Sequence, residues 1–182
     1  MWDYSFRSKR EQKTDKEIAR IIMSRFQAGD THLGKEFSIG GAYDYPVLTY
    51  VSKKALALVK KMGLQSRILP TGVLNGNFPK ERKDGRIVKK DSLTKEHMIP
   101  IKEVLAHFQN LYDHKTLSEA YIESFIKKLQ IALICDEEND LLVRAGYNEV
   151  MPDGWWNGEK MDPLDRYRKA GLPDSIWVRD FQ

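Results

Sequence analysis

The chain has 182 residues, 41% of them apolar and 31% charged, with a formal charge of +4. That composition can bury a core and excludes wholesale disorder, and no apolar run approaches the ~20 residues of a membrane helix. A single cysteine, Cys135, excludes an internal disulfide framework and a cysteine-rich zinc staple.

Residues 1–13 are polar and basic, with Tyr4 and Phe6 as the expected anchors, and they lack the apolar stretch of a secretory signal. A soluble, cytoplasmic protein is therefore expected. Thr14 with Glu17 forms a capping box, in which each side chain satisfies an orphan N–H at a helix start. Ile18, Ile21, Ile22 and Phe26 follow at helical spacing, and Gly29 stands where a left-handed stop belongs.

The Gly- and aromatic-rich stretch from Gly34 to Tyr45 reads as loop, and Val47–Val51 as a short strand. Ser52 then caps a second helix that Gly63 ends. Residues 65–92 are turn-rich, with short strands expected at Ile68–Leu69 and Ile87–Val88. Thr94–Ile99 suits a strand that Pro100 terminates, because proline cannot donate to a ladder. Helices are predicted at 101–111 and at 117–129, the latter opened by Thr116 and Glu119. Ile131–Ile134 reads as a buried strand, and Asp136 as the cap of a last clear helix reaching Ala145.

The tail, 147–182, holds three of the four tryptophans and three of the seven prolines. It is too aromatic to be disordered. It is expected to wrap onto the domain by covering a sheet edge or a subunit contact, with base stacking by Trp155 and Trp156 as the alternative.

The string Glu96-His97-Met98-Ile99-Pro100-Ile101 carries the chemistry. An acid beside a histidine at a strand end projects to opposite faces unless the strand bends, and Pro100 invites a bend. Such a pair can hold a hard cation with the carboxylate while the imidazole takes a proton from water.

This string resembles the first motif of the HNH, or ββα-metal, nucleases: an acid and a histidine, two apolar residues, proline and an apolar residue. A polar residue, an apolar strand and a capped helix follow at Gln130 to Leu142, as in that family. The resemblance covers about residues 92–146. It implies His97 as general base, Glu96 as metal-binding acid, Asn139 as last-motif metal ligand and Gln130 as the residue that steadies the loop. The implied cofactor is one divalent ion, Mg²⁺ by its oxygen ligands. The implied partner is DNA, with Lys80, Arg82, Lys83, Arg86, Lys89 and Lys90, and also Arg7, Lys9 and Arg10, on backbone phosphates. A homodimer would suit double-strand cutting.

The chain departs from the family in its spacing. His97 and Asn139 stand 42 apart with two predicted helices between them. Asp136, Glu137, Glu138 and Asp140 thus remain alternatives to Asn139. His32, His107 and His114 read as structural.

The expected fold is α+β: a single mixed domain over 1–182 with a ββα-metal-like core in the C-terminal half. Residues 1–91 form a helical and basic part, 92–146 the HNH-like part with a helical insertion, and 147–182 the aromatic wrap. The expected function is a metal-dependent DNA endonuclease of phage, restriction or mobile-element type. Alternatives are a non-enzymatic nucleic-acid-binding or regulatory protein, or an interaction protein using its Trp-rich tail.

Overall fold

A computed structural model describes residues 14–30, 48–63, 81–83, 86–88, 93–158 and 160–178. The fold is mixed α+β. The chain divides into two compact units that alternate along the sequence: residues 1–46 with 105–128, and residues 47–104 with 129–182. Among the described residues no helix is long and apolar enough to cross a membrane.

The first unit is helical. Helix α1 (Asp15–Gln27) opens with the Thr14–Glu17 capping box, and Ile18, Ala19, Ile22 and Phe26 form its buried face. Gly29, at φ +70°, supplies the left-handed residue after the last turn. Helix α4 (Glu119–Ile126) packs against α1 and buries Ile122, Phe125 and Ile126. Its cap is Ser118, not Thr116 as the sequence suggests. The Thr116 hydroxyl instead donates to the Leu111 carbonyl, at the end of α3 (Ile101–Asp113), and Leu117 is buried. The helices expected between the two halves of the HNH-like pattern therefore supply α4 and the later turns of α3 to this unit, alongside α1.

The second unit is built on a four-stranded sheet in the order β4-β5-β1-β6. Its strands are β1 (Leu48–Ser52), β4 (Leu93–His97), β5 (Ile131–Cys135) and β6 (Trp177–Val178). Strand β5 lies parallel to β1 and antiparallel to β4, while β6 pairs antiparallel with β1. All five residues of β5 are buried, as expected of an apolar run with neighbours on both edges and both faces.

Helix α2 (Lys53–Lys61), capped by Ser52, packs against β5 and buries Ala55 and Val59. Helices α5 (Asp136–Arg144) and α6 (Asp165–Lys169) cover the other face. There Leu142, Leu164 and Tyr167 join Tyr50, Ala132 and Ile134 in one core. A separate two-stranded ribbon joins β2 (Glu81–Lys83) and β3 (Arg86–Val88).

Within the tail, β6 pairs with β1 at one edge of the sheet. Trp177, in β6, stands edge-on to Tyr50 and Tyr167, with ring centres at 5.9 and 5.0 Å. Trp155 donates to the Asp162 carbonyl at 2.9 Å, and Trp156 to the Glu103 carboxylate at 2.8 Å. The expectations for residues 1–13, 34–45 and 68–69 lie outside the described residues.

Candidate functional site at the end of strand β4

Strand β4 pairs without a break from Leu93 opposite Cys135 to His97 opposite Ile131. The bend falls one residue later, at Met98 and Ile99, where the side chains turn into the core. Regular pairing keeps the alternation of faces. Glu96, opposite Ala132, projects to the side of α5 and α6, and His97 to the other. A ligand touching both must sit at the strand's end, where the backbone turns away. Gln130 is at that end too, since its carbonyl accepts the Met98 N–H at 2.9 Å. The structure thus places Glu96, His97 and Gln130 at one strand end by their backbone, with the Glu96 and His97 side chains on opposite faces.

Asn139 lies on the helix that follows the other end of β5. Helix α5 leaves β5 at Cys135, opposite Leu93, so it starts four strand residues from His97, about 13 Å along the hairpin. Asn139 is the fourth residue of α5 and is partly exposed. Of the alternatives, Glu138 is already committed. Its Oε2 accepts from the Ser52 hydroxyl at 2.5 Å and from the Cys135 N–H at 2.9 Å, and the residue is buried. Glu137 pairs with Lys54 at 2.8 Å on the surface, and this bond and charge raise the lysine's pKa.

Sequence reasoning missed the residue that dominates this site. Arg166, in α6, is fully buried, and its Nη2 donates to Glu96 Oε1 at 2.5 Å. Burial opposes its charge, but Tyr167 and Glu96 outweigh that cost and the guanidinium's pKa rises. Burial likewise pushes the Tyr167 phenol up to about 12. Nothing local to α6 names a carboxylate seventy residues earlier.

Among the described residues no group of three or more His, Cys, Asp or Glu side chains is arranged to hold a metal. A magnesium-like ion asks for less. It is commonly held by one or two carboxylates, with water and substrate phosphate completing its shell. Glu96, whose Oε1 is held by Arg166, offers one such carboxylate, and a hard oxygen donor suits the ion.

On the basic ribbon, Arg82 pairs with Ile87 and Lys83 with Arg86, so that two cationic residues stand opposite each other in the register. Lys80, Lys89 and Lys90 lie outside the described residues, as do Arg7, Lys9, Arg10 and His32. His107 bonds the Tyr121 hydroxyl through Nε2 at 2.7 Å, and His114 the Asn110 carbonyl through Nδ1 at 2.8 Å. A surface cavity of about 510 Å³ between α2 and the start of α5 is lined by Lys54, Leu58, Lys61 and Glu137, among others.

No family model matches the chain, and neither a curated protein nor a solved structure is significantly similar to it.

Proposed function

We propose that this chain is a divalent-metal-dependent DNA endonuclease of HNH type, with His97 as general base and Glu96 as the metal-binding acid. The observation that supports the reading is the path of the chain around the site. Glu96 and His97 close β4, Gln130 holds the turn that follows, and the antiparallel strand β5 runs directly into α5.

In this reaction His97 takes the proton of a water whose oxygen attacks phosphorus, and the bond to the 3′-oxygen breaks. A divalent cation at Glu96 would stabilise the charge on the phosphate and on the departing oxygen. Gln130 steadies the turn through its carbonyl, so the imidazole is carried on a fixed peptide. The basic residues at 80–90 would contact backbone phosphates and make binding salt-dependent.

A second reading, a nucleic-acid-binding or regulatory protein without phosphodiesterase activity, is favoured by the hold of Arg166 on Glu96. A carboxylate that already neutralises a buried guanidinium has a sufficient structural role.

Nicking of supercoiled plasmid with Mg²⁺ or Mn²⁺ separates the two. The endonuclease reading expects nicking by the wild type, loss with EDTA, and loss of at least ~100-fold in His97→Ala, as for removal of a general base. Equal DNA retardation by both proteins with no nicking by either would establish the binding reading instead.

A further inference from the structure

Arg166 makes more contacts than neutralising one carboxylate requires. Nη1 donates to the carbonyls of Tyr147 and Asn148 at 2.8 and 3.1 Å. Nη2 donates to Glu96 Oε1 at 2.5 Å, to the His97 carbonyl at 2.6 Å and, at 3.3 Å, to the Tyr167 hydroxyl. Nε alone is buried with no acceptor among the described residues. One nitrogen therefore grips the side chain of Glu96 and the backbone of His97 together, while the other ties that pair to the chain beyond α5.

We propose that Arg166 is the positioning residue of the site. Holding Oε1 fixes the rotation of the Glu96 carboxylate and presents Oε2 to a cation at the strand end. The bond to the His97 carbonyl fixes the peptide from which the imidazole projects. The guanidinium suits this task because its planar fork carries donors in fixed directions. A carboxylate restrained by an outer partner holds a metal better than a free one. The core around Tyr167 and Leu164 anchors the arginine, so the restraint is carried by the packed face of the sheet and not by a loop. The proposal rests on the endonuclease reading.

The test is Mn²⁺ binding to the full chain, followed by the spin-resonance signal of the free ion, for wild type, Glu96→Gln and Arg166→Lys. Circular dichroism checks folding. Lysine keeps the charge but cannot reach several acceptors in the directions of the fork. A positioning role predicts that Glu96→Gln loses the site and that folded Arg166→Lys binds Mn²⁺ roughly 10–100-fold more weakly. Nicking by Arg166→Lys should fall in kcat with KM for DNA little changed. Wild-type Mn²⁺ affinity in Arg166→Lys, with binding lost in Glu96→Gln, would overturn the positioning role and leave the nuclease standing. A wild type that neither binds Mn²⁺ nor nicks DNA overturns the endonuclease reading itself, and the positioning role with it. Should Arg166→Lys fail to fold, Tyr167→Phe removes one acceptor of Nη2 without adding volume. A smaller loss of Mn²⁺ affinity there supports the proposal, and none refutes it.

Discussion

The Ser52 hydroxyl and the Glu138 carboxylate share a buried hydrogen bond of 2.5 Å across 86 residues of sequence. The same hydroxyl accepts the Ala55 N–H at 3.0 Å, capping α2, while the same carboxylate oxygen accepts the Cys135 N–H at 2.9 Å, at the start of α5. Two helix starts, each following its own strand, are joined through one pair of side chains.

Ser52→Ala should therefore destabilise the protein by more than a lone surface cap would. Loss of the cap contributes about 1 kcal/mol. The buried carboxylate left short of a donor adds about 1–3 kcal/mol. Urea unfolding at neutral pH, compared with the surface cap variant Ser118→Ala, checks this. Equal shifts in the two variants would mean that Glu138 finds a replacement donor.

His107 sets a stability slope with pH. Desolvation holds its imidazole below the ordinary value of 6.5. The folded state therefore takes up its proton at lower pH than the unfolded chain does. Stability from this group is complete above 6.5 and is lost as pH falls through the lower folded value. Its Nε2 contact with the Tyr121 hydroxyl suits the neutral ring, which can accept the phenol proton. Urea midpoints measured from about pH 8 to pH 5 should fall less steeply in His107→Gln than in wild type. Parallel slopes would refute the assignment.

Cys135 should be inert as a thiol. Burial pushes its pKa up, and the neighbouring Glu138 charge pushes the same way, against the opposing backbone bond to Glu138 and the charge of Lys54. The protonated thiol is a poor nucleophile. Ellman's reagent should modify the native protein far more slowly than the denatured chain at pH 7.5. Similar rates in the two states would place the sulfur in reach of solvent.

The elements that the sequence foretold are those whose signals are local. The Thr14–Glu17 box, the Ser52 cap and the apolar run before Cys135 each fix a helix start or a strand without reference to distant chain. The start of α4 was misplaced by two residues because Thr116 had two uses, and closing α3 took precedence over opening a helix. The strand end at Glu96 and His97 was equally legible, since Pro100 marks it. Two features of the site were not. The position of Asn139 depends on the β4–β5 register, which a sequence with a 33-residue connection between the strands does not display. The partner of Glu96 comes from α6 through tertiary packing alone. A buried arginine beside Leu164 and Tyr167 looks, in one dimension, like any basic residue near a helix end.

The alternation of the two units along the chain has a consequence for synthesis. Helix α1 leaves the ribosome some 90 residues ahead of α4, a delay of roughly 5–20 s at ~5–20 residues per second. Through that interval the buried face of α1 lacks α4, and β1 waits nearly as long for β5. No single cut separates the two units, because each of the three crossings between them divides the segments of at least one unit. A split-protein complementation pair divided near residue 104 would thus have to assemble both units at once.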